Sequence, residues 1–124
     1  MRAIRSKGMK PEMTVRRLAH GMGYRYRLHR KDLPGKPDLT FPARRKVIFI
    51  HGCFWHQHDD PHCPITRKPK SNRDYWLLKL ERNVQRDSQH YEDLERTGWS
   101  VMVIWECQLK DRDALTGRIA EFLG

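Results

Sequence analysis

Cys53, His58 and Cys63 are spaced C-x4-H-x4-C within residues 52–73, a stretch that holds three prolines and shows no hydrophobic period. Cys107 follows much later, at the end of an apolar run. Three thiolates and an imidazole suit tetrahedral Zn²⁺, and a site filled in this way has no open position, which makes it structural. A long irregular loop in a small chain has little else to hold it, so a metal clip is physically reasonable. His62, beside Cys63, competes with His58 for the imidazole position. The alternative is that the cysteines are small buried apolar residues and the histidines lie at the surface. An odd number of cysteines, 3 in all, in a chain expected to lie in a reducing compartment argues against a disulfide framework.

Pro37-Asp38 comes after the turn-like Leu33-Pro-Gly-Lys-Pro37, at the head of a short strand. Metal-dependent nucleases of the PD-(D/E)xK kind place a carboxylate at such a point to hold Mg²⁺, with further ligands on the next strand. Pro-Asp is also a common turn dipeptide. The acid and lysine of the second strand are replaced here by Phe49-Ile50-His51, so a generic nuclease pattern is incomplete. His51 and His56 flank Cys53 in His51-Gly-Cys-Phe-Trp-His56. Histidine titrates near neutrality and can take a proton from an attacking water, or it can instead orient a ligand or fill a zinc position.

Phe54 and Trp55 are large apolar neighbours in a polar loop, where full burial is difficult. Side chains that wedge into a base step have this character; packing against a sheet is the competing reading. Trp76, Lys79 and Asn83 fall on one side of a helix at i, i+3 and i+7. Together they suit stacking, phosphate and base-edge contacts, or form an ordinary amphipathic boundary.

These residues need a frame. Pro11-Glu12 opens a helix whose apolar face is Val15, Leu18, Ala19 and Met22, closed by Gly21 and Gly23. Residues 24–28 alternate as a half-buried strand, and residues 38–41 and 46–51 read as a hairpin across 42–45. A long helix spans residues 73–97 and ends at Gly98, with Leu77, Leu80, Val84, Tyr91 and Leu94 on one stripe. Residues 99–105 form a buried strand and 114–123 a closing helix. The order αβββαβα describes an α/β sandwich around a small mixed sheet, the order of the restriction-endonuclease-like core.

The chain has 124 residues, 25 Lys+Arg against 15 Asp+Glu, and a formal charge of +10. Residues 1–124 are expected to form one domain, with one modest core. No apolar stretch approaches the roughly 18 residues of a membrane span, and no leader is visible, so a cytoplasmic protein without membrane contact is expected. The charge favours a polyanion, nucleic acid before anionic lipid, because no basic helix with a greasy face stands out. A monomer is expected, since no apolar seam is left after the core is assigned.

The motifs taken together resemble the very-short-patch-repair (Vsr) DNA mismatch endonucleases. They are Lys10-Pro-Glu12, Leu33-Pro-Gly-Lys-Pro-Asp38, Val47-Ile-Phe-Ile-His-Gly-Cys-Phe-Trp-His56, Tyr75-Trp76 with Asn83-Val-Gln-Arg-Asp87, and Gly98-Trp99 leading to Trp105-Glu-Cys107. The resemblance implies a bacterial-type enzyme that nicks duplex DNA 5′ to the thymine of a T·G mismatch, alongside mismatch-repair proteins. It implies Asp38 as a Mg²⁺ ligand, His56 as general base, and Glu12 and His51 as supporting catalytic residues. The family's threonine on the second strand is Ile50 here, which would serve the metal through its backbone carbonyl. Cys53, His58, Cys63 and Cys107 take the structural zinc positions, with residues 60–62 lengthening the spacing and leaving His62 as the rival. Phe54, Trp55 and Trp76 match intercalating aromatics, and Lys79 and Asn83 match positions near the mispaired bases. Met1 falls on a further intercalating position where family members often carry a longer arm, so weaker binding or relaxed specificity is expected. Two other functions remain open at this point. One is a nuclease of the same fold acting on uracil- or hypoxanthine-containing or specific-site duplex; the other is a non-catalytic mismatch binder.

Overall fold

The computed structural model describes residues 11–53 and 73–124. Helix α1 (Pro11–Gly21) starts on a proline, whose missing N–H costs nothing in a first turn, and carries Glu12 in that turn and His20 in the last. Val15 and Ala19 are its buried residues. Three antiparallel or hairpin-linked strands follow: β1 (Arg27–Leu28), β2 (Leu39–Phe41) and β3 (Lys46–His51). Between β2 and β3 a single 3₁₀ turn, Pro42–Arg44, closes on Arg45 at φ 54°. Helix α2 (Arg73–Arg96) leads to β4 (Ser100–Trp105), a 3₁₀ segment Glu106–Lys110 and helix α3 (Arg112–Leu123). Asp111 caps α3, its carboxylate accepting from Ala114 N at 3.0 Å, which starts the helix earlier than its apolar pattern.

The strands form one sheet in the order β1-β2-β3-β4. β1 and β3 each pair antiparallel with β2, whereas β3 and β4 run parallel, from Lys46↔Ser100 to His51↔Trp105. Each face of the sheet is covered. Leu39, Phe41, Ile48 and Ile104 pack with Val15 and Ala19 of α1 and Leu115, Ile119 and Leu123 of α3. On the other side Val47 and Phe49 meet Leu94 of α2 and Trp99. The alternation along β3 sends successive residues to opposite cores, because strand side chains alternate by face. Gly98 at φ +94° lets α2 turn sharply, with Trp99 N donating to Leu94 O at 3.0 Å, so that Trp99 is tucked back under the helix. The Arg45 guanidinium covers the Trp99 ring at 4.7 Å.

Two sequence expectations change. Only Arg27 and Leu28 of residues 24–28 are strand, and both are exposed. This edge strand pairs with only two residues of β2, and Tyr24 and Tyr26 instead stack edge-on against Phe41 at 6.5 and 6.1 Å. On α2, Val84 is exposed rather than part of the buried stripe. Asp87 occupies the middle of that helix face because the sheet opposite it presents a polar side chain, His51. Among the described residues no helix is long and apolar enough to cross a membrane.

Candidate metal and catalytic centre

Asp38 stands at the head of β2, delivered by the turn at residues 33–37. That turn needs a left-handed residue at Gly35 (φ +76°), and a Cβ there would lie 3.0 Å from the His90 side chain of α2. Glycine therefore lets the turn press against α2. The Asp38 carboxylate is fixed from the neighbouring strand, accepting from Ile50 N at 2.7 Å. The regular β2–β3 ladder ends at Leu39↔Ile48, so this contact continues the pairing through a side chain. In an extended strand the N–H and C=O of one residue point toward the same edge, which turns the Ile50 carbonyl toward the Asp38 side as well.

His29 follows directly after β1 at φ 49°, a left-handed conformation uncommon for a residue with a Cβ. Its backbone N–H donates to the Asp38 carbonyl at 3.2 Å. The ring then lies between two carboxylates. Nε2 is 3.0 Å from Glu12 Oε2, and Nδ1 is 4.0 Å from Asp38 Oδ1. Arg16 Nη1, one turn along α1, is 3.6 Å from the same Glu12 oxygen. Glu12, His29 and Asp38 place one ligating atom each within 4.8 Å of one another. Glu12 and Asp38 side chains are 25% and 24% exposed, buried enough to be held in place and open enough for an ion to enter. Two carboxylates and an imidazole at the head of a helix and the ends of two strands are a donor set that fits a divalent cation.

Beside this cluster a cavity of about 250 Å³ is lined by Asp38, Ile50, His51, Arg86, Asp87 and His90, among others. His51 is 6% exposed, so its ring needs a polar partner. It has one in Tyr91, whose hydroxyl lies 2.5 Å from Nε2, with Asp87 Oδ2 at 4.0 Å. Burial and the Asp87 charge push the Tyr91 phenol far above its ordinary value. The phenol therefore keeps its proton and can donate it to an unprotonated Nε2. A raised phenol pKa stabilises the fold below the unfolded value of about 10, and this contribution is lost as pH rises beyond it. Tyr91→Phe is thus expected to cost about 1–2 kcal/mol at pH 7 through the unmade hydrogen bond. The difference from wild type should shrink in urea unfolding above pH ~10. An equal difference at neutral and alkaline pH would count against the buried, protonated phenol.

Two wider clefts, about 520 and 560 Å³, run along residues 20–27 and 42–44 and are lined by tyrosines and arginines without a carboxylate. They do not suit a cation.

The structure thus brings Glu12, Asp38, Ile50 and His51 to one region. It adds His29, Asp87 and Tyr91, which sequence reasoning had not assigned a role. Asp87 lay inside a quoted motif, and Tyr91 was hidden in an apolar stripe. His29, at the end of a marginal strand, gave no local signal. Cys53 is fully buried and Cys107 half-buried. Because β3 and β4 are parallel with His51 opposite Trp105, the two cysteines each lie two residues past the last pair, on adjacent strand ends. On α2, Lys79 Nζ sits 5.6 Å over the Trp76 ring, and Asn83 Oδ1 accepts from Arg86 at 2.9 Å. Met1, Phe54, Trp55, His56, His58, His62 and Cys63 lie outside the described residues.

Comparison with known proteins bears on this arrangement. The family model described as DNA mismatch endonuclease Vsr matches residues 1–62. The DNA mismatch endonuclease Vsr of Escherichia coli is 38% identical across 99% of this chain and 80% of its own length. The chain belongs to the Vsr family. Membership makes it an endonuclease. Other relatives are described as nicking enzymes. The Type II nicking enzyme V.XorIIP of Xanthomonas oryzae pv. oryzae is 51% identical over 99% of this chain and 88% of its own length. V.NmeAIP of Neisseria meningitidis, another Type II nicking enzyme, is 44% identical over 90% of this chain and 78% of its own. The Vsr match takes in α1, the hairpin and the segment to Cys53, and so covers Glu12, His29, Asp38, Ile50 and His51.

Proposed function

We propose that this protein nicks one strand of duplex DNA on the 5′ side of the thymine in a T·G mismatch, by Mg²⁺-dependent hydrolysis. The observation that carries the reading is the convergence of Glu12, His29 and Asp38 beside the cavity of His51. Asp38 would hold Mg²⁺ together with the Ile50 carbonyl, with Glu12 as a supporting residue, in a core of the restriction-endonuclease-like type. When bound, Mg²⁺ offsets charge on the scissile phosphate and lowers the pKa of water. The residues do the rest. His56 accepts the proton of the attacking water, worth about 10²–10⁴-fold in rate. His51, held by Tyr91 and beside Asp87, presents a fixed polar face to the phosphate.

Cys53, Cys63, Cys107 and either His58 or His62 would clip Zn²⁺ and hold the segment that carries His56. Phe54, Trp55, Trp76 and Met1 would test stacking, with Lys79 and Asn83 near the bases. A mispaired step costs less to unstack, which is a physical source of selectivity. The +10 charge would grip the backbone and make binding steeply salt-dependent. The protein would work as a monomer on DNA in the bacterial cytoplasm, with mismatch-repair proteins acting after the nick.

End-labelled duplexes carrying T·G, U·G, inosine or perfect pairs, incubated with and without Mg²⁺, test the reading. The expected result is one nick 5′ to the thymine of T·G, only with metal. Cutting of both strands of perfect duplex would favour a site-specific nuclease. Cutting confined to U·G or inosine would favour a base-lesion target. Binding without any cut would favour a mismatch binder.

A further inference from the structure

We infer that His29 is a direct ligand of the Asp38 metal site, so that the site takes a first-row transition ion such as Mn²⁺ more tightly than Mg²⁺. The inference rests on the reading of Asp38 as a metal ligand and goes beyond it in naming a third protein donor and the metal class. His29 is not placed there by chance packing. Its backbone N–H is bonded to the Asp38 carbonyl, and its backbone is held at φ 49°, so the ring has a fixed origin one residue beyond β1. One ring nitrogen faces each acid, Nε2 toward Glu12 at 3.0 Å and Nδ1 toward Asp38 at 4.0 Å.

Ligands held about 2.1 Å from one ion lie about 3.0 Å apart when adjacent and about 4.2 Å apart when opposite. The 4.0 Å between Nδ1 and Asp38 Oδ1 falls within that range, and one donor atom from each of Glu12, His29 and Asp38 lies within 4.8 Å of the others. Nδ1 is then the ligand beside Asp38, and Nε2–H donates to the Glu12 carboxylate. Metal-bound histidines commonly give their second N–H to an acid in this way, which fixes tautomer and ring orientation. Glu12, on the far side of the ring, then supports the site as this acceptor, and Asp38 is the ligating acid. Arg16, 3.6 Å from Glu12, offsets the charge behind the ring and leaves Asp38 as the one ligating acid, so affinity depends the more on the nitrogen.

An imidazole in the donor set changes the selectivity. Mg²⁺ is a hard ion that takes oxygen and gives up its water reluctantly, whereas Mn²⁺ accepts oxygen and nitrogen together. A site of oxygen donors alone would discriminate less. The half-exposed His29 side chain, at 51%, is reachable by an ion from solvent.

The test uses Mn²⁺ as the probe on the full-length protein, with electron spin-echo spectroscopy reading ¹⁴N coupling to the bound ion. Wild type is expected to show ¹⁴N modulation. His29→Asn keeps a residue type that tolerates positive φ, so the backbone survives, and it should lose the modulation. Its Mn²⁺ affinity should fall about tenfold or more, and less excess Mg²⁺ should suffice to displace the ion. Circular dichroism confirms that the variant is folded, and His29→Gly, which relieves the same backbone, should behave alike. Bound Mn²⁺ without ¹⁴N modulation, or modulation that persists in His29→Asn, overturns the inference and leaves the Asp38 site intact. No Mn²⁺ binding by wild type, or binding undiminished in Asp38→Asn, overturns the underlying Asp38 reading as well.

Discussion

Asp38→Asn is expected to abolish nicking of T·G duplex while leaving DNA binding within a few-fold of wild type. Asparagine keeps the size of the side chain and an oxygen that accepts the Ile50 N–H, so the 2.7 Å contact joining β2 to β3 survives. What it removes is the charge. The cluster would be left with Glu12 as its one acid, partly offset by Arg16. Electrostatic support for a phosphoryl reaction by a held cation is worth several kcal/mol, so the rate should drop by about three orders of magnitude or more. Binding rests instead on the basic surface and is insensitive to one half-buried acid. Single-turnover nicking of end-labelled duplex, run beside a gel-shift titration, separates the two effects. An active Asn variant would remove Asp38 from the metal site. Asp38→Ala should be as inactive, and less stable, because it also leaves the Ile50 N–H without this partner.

Cys107→Ser is expected to lower zinc content and thermal stability together. Cys53 is fully buried, and the parallel register carries Cys107 to the same end of the sheet. A serine there cannot supply a thiolate. Structural zinc in small domains contributes on the order of 10 kcal/mol of folding free energy, and spoiling one of four ligands forfeits part of it. A loss of about 3 kcal/mol corresponds to roughly 10 °C in melting temperature for a chain of this size. Wild type and variant, purified without chelator, would be compared by elemental analysis and calorimetry. Unchanged zinc stoichiometry would show that Cys107 is not a ligand. A drop in melting temperature with zinc retained would point to packing alone.

Elements with local signals were legible in the sequence. Pro11-Glu12 starts α1, Gly98 stops α2, and the apolar runs at 46–51 and 100–105 are strands, because caps, breakers and runs act over a few residues. Residues 24–28 misled because alternation measures periodicity, whereas strand length is set by the partner available, and β2 offers only Leu39 and Thr40. Val84 misled because a helical stripe does not reveal where the opposing sheet turns polar. The candidate site was half visible. Asp38 and His51 lie in motifs whose spacing suggests chemistry, and Glu12 came through resemblance. His29 and Tyr91 had to wait for tertiary structure. A histidine in a left-handed conformation at a strand end, and a tyrosine whose ring packs while its hydroxyl does not, look like surface and core until neighbours are known.

The parallel pairing of β3 with β4 also sets how the chain reaches its native state. Phe41 meets Lys46 across a tight turn, but Lys46 meets Ser100 only after 54 residues (100 − 46) have been looped out. Closing a loop of that length costs roughly 3–4 kcal/mol of chain entropy before any strand contact repays it. The folding rate should therefore be governed by the arrival of β4 and not by the hairpin. Substitutions that strengthen the 42–45 turn, formed before that step, should speed folding more than they slow unfolding. A bound zinc ion joining Cys53 to Cys63 would shorten the loop to be closed, and metal added before refolding would then make the protein fold faster as well as melt later.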